Sequence, residues 1–185
     1  MPESYPDLPA GRRITGSLLR AMLPLTARKT ADTSRAATTT AAPDPHLYFD
    51  VAAGGVYTLS GWISYDGPAA ADLTLDFSAP AGSQGEWTGW GPGVATVVGA
   101  STVPVLTTDT SSPRGYMTRM EPTDVTAART FGCINVGTPL TVTIWGTLRV
   151  GPVGGTYSLD WAQVTSDAGA VTLYADSWLS LRRIA

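Results

Sequence analysis

The chain has little of what most protein chemistry requires. Its 185 residues include one histidine (His46), one cysteine (Cys133) and one lysine (Lys29). A lone cysteine excludes a disulfide within the chain, and one cysteine with one histidine excludes the familiar histidine and cysteine zinc clusters. Charged residues are 15% of the total, against about 25% in ordinary soluble domains. With 43% hydrophobic residues beside them, that scarcity does not read as disorder. No run approaches the ~20 apolar residues that span a bilayer, so no membrane role is expected. A net charge of -3 lacks the basic footprint of a nucleic-acid binder. The start, Met1 to Ala10, shows no secretion signal, so assembly in a cytoplasm is expected.

What remains is a chain of one medium domain plus an appendage. Basic side chains other than Lys29 are all arginine, a bias expected of a high-GC genome. Up to Pro45 the charge is about +2, and from His46 to Leu181 about -7, so the two parts face different surroundings. Prolines 2, 6 and 9 make an extended lead-in. Gly11 to Leu23 then reads as one helix, with Ile14, Leu18 and Met22 four apart, Leu19 and Leu23 widening the stripe, and Pro24 ending it. Such a short helix is marginal alone in water and needs a cover, either its own domain or another protein. Residues 31–45 are rich in threonine and alanine, carry almost no large apolar side chain, and read as a linker. The expected organisation is therefore an anchor over 1–30, a linker over 31–45 and a head domain over 46–185.

From His46 the hydrophobic period becomes two, which predicts an all-β head. Leu47 to Val51, Tyr57 to Tyr65, Leu73 to Phe77, Val94 to Val98, Val125 to Asn135, Leu140 to Val150, Thr156 to Thr165 and Val171 to Ile184 are the expected strands. Gly82 to Gly93 reads as a glycine, tryptophan and proline loop, and Thr102 to Thr123 as mostly loop. Eight or nine strands with long connections fit a jelly-roll sandwich.

No catalytic motif stands out. His46, between Pro45 and Leu47, reads as a hydrogen-bonding structural residue, and Cys133 as a small buried apolar one. Asp72 and Asp76 share one face of a strand and read as solvated positions, because no aspartate-rich loop supplies the oxygens calcium needs. No enzyme activity, cofactor or metal is expected. The six tryptophans carry more information. Trp62 lies opposite Leu59 and Ile63, and Trp145 opposite Val142 and Ile144, so some strands are apolar on both faces. One face must meet a neighbour, and a homotrimer is the simplest, with Trp145, Trp161 and Trp178 as its expected interface. Trp87 and Trp90, in Gly85-Glu86-Trp87-Thr88-Gly89-Trp90-Gly91, are either packed in their loop or candidate glycan contacts. At the N-terminus Arg12, Arg13, Ile14, Leu18, Leu19, Met22 and Leu23 form the candidate docking surface for another protein of a larger particle.

Two resemblances give this pattern a context. The closing hairpin, Ser158-Leu159-Asp160-Trp161-Ala162-Gln163-Val164 and Val171-Thr172-Leu173-Tyr174-Ala175-Asp176-Ser177-Trp178-Leu179-Ser180-Leu181, resembles the last strands of trimeric tumour-necrosis-factor-like jelly rolls in phage fibre heads. The linear order of Gly11-Arg12-Arg13-Ile14-Thr15, Leu18-Leu19, Met22-Leu23-Pro24, Ala27-Arg28-Lys29-Thr30, Asp44-Pro45-His46-Leu47, Ala71-Asp72-Leu73 and that hairpin resembles small minor tail or fibre-like virion proteins of actinobacteria-infecting phages. The resemblance implies a non-enzymatic virion component, displayed as a trimer and in contact with other virion proteins of tail or capsid. Contact with a host cell-wall glycan is the further expectation. Capsid decoration as a head fibre is the first alternative, and a carbohydrate-binding module the second.

Overall fold

The computed structural model describes residues 10–11, 13–93 and 124–185, together with the backbone of 116–119. Arg12, the lead-in before Ala10, the expected Val94 to Val98 strand and most of the Thr102 to Thr123 connection lie outside the described residues. The order is helix α1 (Gly16–Ala21) followed by β1 (Leu25–Arg28), β2 (Thr33–Arg35), β3 (Ala42–Val51), β4 (Val56–Asp66), β5 (Leu73–Ser78), β6 (Gln84–Pro92), β7 (Tyr116–Arg119), β8 (Arg129–Phe131), β9 (Leu140–Arg149), β10 (Gly155–Gln163), β11 (Val171–Leu173) and β12 (Trp178–Arg183).

Two antiparallel sheets hold these strands. The larger runs β1-β12-β4-β9-β6-β7, with β11 paired to both β4 and β2. The smaller runs β3-β10-β5-β8. The protein is thus an all-β sandwich, and its core is the set of inward residues that a period of two selects. From the larger sheet come Leu59, Ile63 and Tyr65, then Val142, Ile144 and Leu148, and Leu179 and Leu181. From the smaller come Leu47, Phe49 and Val51, with Leu73, Leu75, Phe77, Tyr157, Leu159 and Trp161. Phe77 stacks on Tyr157 with centroids 4.9 Å apart and meets the edge of Trp87 at 5.1 Å. Both are favoured aromatic geometries.

The described residues hold twelve strands rather than eight or nine. One source of the excess is the expected linker. Residues 31–45 are not a tether: β2 pairs with β11, β3 begins at Ala42, and β1 just before pairs Leu25 to Arg28 against Leu181 to Trp178. These segments are held by ladder hydrogen bonds and by buried polar partners, neither of which needs large apolar side chains. The second source is Gly82 to Gly93, which contains β6. Gly89 and Gly91 are strand positions where the sheets come close: a Cβ on Gly89 would lie 2.5 Å from Phe131 Cζ, and one on Gly91 3.2 Å from Phe131 Cδ1. A glycine in a strand can mark such an approach as well as a turn. The expected strand over Val125 to Asn135 contracts to β8, and the one over Val171 to Ile184 splits into β11 and β12. Asp176, at φ +67, turns the chain between them.

The helix is shorter than the apolar spacing indicates, six residues instead of thirteen. Thr15 is its N-cap, with Oγ1 accepting from the Leu18 amide at 3.3 Å. A threonine hydroxyl there satisfies an amide that the helix cannot, which starts the helix at Gly16. Among the described residues no helix is long and apolar enough to cross a membrane.

Candidate functional site

The outer face of the larger sheet carries the most unusual surface. On β4, Leu59, Ile63 and Tyr65 point into the core, so Trp62 and Ser60 point out. On β9 the alternation leaves Thr143 and Trp145 outside, and on β12 it leaves Trp178 and Ser180 outside. Register aligns these residues into rows. Trp178 faces Trp62, Trp62 faces Thr143, and Thr143 faces Trp90. In the adjacent row Ser180 faces Ser60, Ser60 faces Trp145, and Trp145 faces Thr88. Trp145 is 43% exposed, Trp90 46% and Trp178 37%, with Trp62 partly covered. Trp62, Trp145 and Trp178, with Ser60, Gly61, Thr143 and Ile144, line a groove of about 370 Å³.

These two rows hold aromatic rings, hydroxyls and no charged side chain. Charges begin at the margins, with Arg28 beyond Trp178 and with Arg182 and Glu86 one row further along. Such a surface has strong apolar attraction for a flat partner and no ionic group to desolvate on contact.

The structure separates the expected interface residues. Trp145 and Trp178 belong to this face. Trp161 does not: it sits opposite Leu75 on the core side of β10, is 0% exposed, and donates its Nε1 hydrogen to Asp44 Oδ2 at 3.2 Å. Tyr157 and Leu159 share its parity and are buried with it. The expected glycan pair separates likewise. Trp87 is buried, donates Nε1 to the Ala127 carbonyl at 3.1 Å and lies under the Arg129 guanidinium, so it is a core residue. Trp90 remains on the exposed face. Trp62, absent from the expected interface, joins Trp145 and Trp178 in lining the groove.

At the N-terminus Ile14, Leu19, Met22 and Leu23 are each half to two-thirds exposed, and Arg13 is exposed as well. Leu18 is the exception, buried at 8%, and so is unavailable to a docking partner.

The remaining candidates are structural. Cys133 is buried and its thiol is pushed upward in pKa by desolvation and by Asp72 and Asp66, the opposite of an activated nucleophile. Asp72 is not a solvated strand position: at φ +51 it precedes β5, and Oδ1 accepts from the Cys133 amide at 2.7 Å. Asp76 lies opposite Asp160 on β10, and partial burial with that like charge raises its pKa to about 6. Among the described residues no group of three or more histidine, cysteine or acidic side chains is placed to hold a metal ion.

Comparison with protein-family models, with curated proteins and with solved structures found no match to this chain.

Proposed function

We propose that the chain is a non-enzymatic structural component of a phage virion, a minor tail or fibre-like protein whose jelly-roll head assembles as a homotrimer and whose N-terminal segment docks on another virion protein. The observation that carries the reading is the pair of charge-free central rows on which Trp62, Trp145 and Trp178 surround one groove. A second copy of the chain is its occupant. A head rich in acidic residues repels its own copies over most of its surface, and these central rows are where copies meet without opposing charges. Stacked aromatic rings at such a contact supply the desolvated centre that stable interfaces have.

The second exposed apolar surface, Ile14, Leu19, Met22 and Leu23, supports docking by the N-terminus. Three docking segments on one trimer raise the effective concentration of each, so weak single contacts give firm attachment. The resemblance of the motif order to small virion proteins of actinobacteria-infecting phages supports the particle context. Sedimentation of the full chain at micromolar concentration tests the assembly: a trimer is expected, and a species of 19.3 kDa overturns it.

A carbohydrate-binding role is the second reading, and Trp90 favours it. Trp90 lies two strands from Trp62 in the same row, about 10 Å at normal strand spacing. Exposed rings so placed can stack on alternate sugars of an extended cell-wall glycan. Host-wall polysaccharide retained by the parent protein but not by Trp90→Ala would establish this role.

A further inference from the structure

Lys29 is the only lysine of the chain, and it is where a lysine is least expected. Its side chain is 0% exposed, as is that of Asp44, and Nζ lies 2.6 Å from Asp44 Oδ2. Every other basic side chain is arginine, including Arg129, which is 1% exposed. An arginine would suit a simple buried ion pair better, since its planar fork meets a carboxylate with two parallel hydrogen bonds. Lysine differs in chemistry: it can surrender its proton and become a nucleophile.

The surroundings of Asp44 fit an acyl acceptor. Oδ2 receives hydrogen bonds from Trp161 Nε1 at 3.2 Å and Thr33 Oγ1 at 3.2 Å, in addition to Lys29. Oδ1 receives the His46 amide at 2.9 Å, and His46 Nδ1 stands 3.8 Å away, buried and without a hydrogen-bond partner among the described residues. One carboxylate oxygen therefore has the neutral donors that stabilise a developing oxyanion, and the other has an imidazole beside it.

We propose that Lys29 and Asp44 condense spontaneously into an intramolecular amide. A proton passes along the 2.6 Å contact from Nζ to the carboxylate, giving an amine and a carboxylic acid with no net charge on either, the form a dry interior tolerates. His46 moves the acid proton from Oδ2 to Oδ1, the Nζ lone pair forms a bond to Cγ, and Oδ2 carries the negative charge between Trp161 and Thr33. His46 then carries one of the two protons left on the nitrogen to the Oδ1 hydroxyl, the Cγ–Oδ1 bond breaks as the Oδ2 carbonyl re-forms, and one water leaves. No bond is oxidised or reduced, and no co-reactant is needed.

The link has a mechanical use. Lys29 follows β1, an edge strand of the larger sheet, and Asp44 belongs to β3 of the smaller sheet. Tension entering from the N-terminus reaches β1 first, and among the described residues the ladder that holds β1 is four residue pairs to β12. An amide at its end carries the load across the core into the second sheet.

Intact-mass measurement of the denatured full chain is the test, joined with digestion by a lysine-specific protease. With Lys29 acylated, the mass is one water below that of the sequence and the chain stays whole, because its only lysine is blocked. The full sequence mass, with cleavage into two fragments, overturns the proposal. So does a water loss that leaves Lys29 cleavable, as a succinimide at Asp66-Gly67 would. Asp44→Asn supplies a second reading of the same chemistry: it loses ammonia and reaches the same product mass as the parent. Lys29→Arg retains the cation and loses no water. His46→Gln slows formation by roughly 100-fold or more, and an unchanged rate would remove His46 from the reaction.

Discussion

Trp62 on β4 and Trp178 on β12 are directly opposed across the ladder that joins the two strands, both on the solvent side of the larger sheet. Cross-strand aromatic pairs stabilise a sheet modestly, by roughly 0.2–1 kcal/mol. Their cost is an apolar surface held in water, and with Trp145 on the next strand it is more than one sandwich conceals.

Replacing Trp145 and Trp178 together by glutamate should therefore leave a folded head that no longer associates. Far-ultraviolet circular dichroism should match the parent, while sedimentation reports the single-chain mass. A double variant that still sediments with the parent would move the assembly surface elsewhere.

Trp87 offers the contrasting case. Trp87→Ala opens a cavity beneath Arg129 and beside Phe77, and a core tryptophan truncation costs about 3–5 kcal/mol. Thermal unfolding should fall by roughly 6–20 °C at the usual 2–4 °C per kcal/mol for a chain of this size.

Gly89 has no room for a side chain. Gly89→Val places atoms against Phe131 and Val142, and overpacking of this kind costs about 1–3 kcal/mol. Urea titration should show a lower midpoint with an unchanged slope.

Asp76 links stability to pH. Its native carboxyl titrates near 6 and an unfolded aspartate near 3.8, with burial the larger cause and Asp160 the second. The folded protein holds this proton more tightly, so its stabilising effect is complete below 3.8 and is lost as pH rises through about 6. Asp76→Asn removes the titration. After discounting for partial exposure, the variant should gain roughly 1 kcal/mol, or about 2–4 °C in Tm, at pH 7.5 and almost nothing at pH 4. An equal effect at both values would mean that the carboxyl does not titrate in this range.

The anchor prediction rests on exposure. Leu19 and Leu23 are more than half exposed, so Leu19→Asp with Leu23→Asp should leave the melting temperature unchanged while the protein fails to join particles. Normal incorporation would show that the docking surface lies elsewhere. Leu18 would be a poor probe, since burial makes its substitution a stability change as well.

Much of the sandwich follows from alternation alone. Leu140 to Val150 reads as a strand with Val142 and Ile144 on one side and Trp145 on the other, and the structure places them so on a strand over Leu140–Arg149. The same parity sets Trp62 outward against Leu59 and Ile63. A period of two states which residues share a face, because successive side chains must point oppositely along a pleated strand. It cannot state whether that face meets water or another sheet. Trp161 shares a face with Tyr157 and Leu159, yet only the apposition of β10 to the opposite sheet makes that face interior, and only the return of β9 and β8 toward β6 buries Trp87. The threonine-rich stretch was opaque for a related reason: β1 and β2 gain their order from β12 and β11, about 140 to 150 positions away in the chain. The period of two by itself determined that the chain is β-rich. The meeting of Lys29 with Asp44 inside the core was decided by tertiary structure, since it depends on two different sheets closing over one buried site.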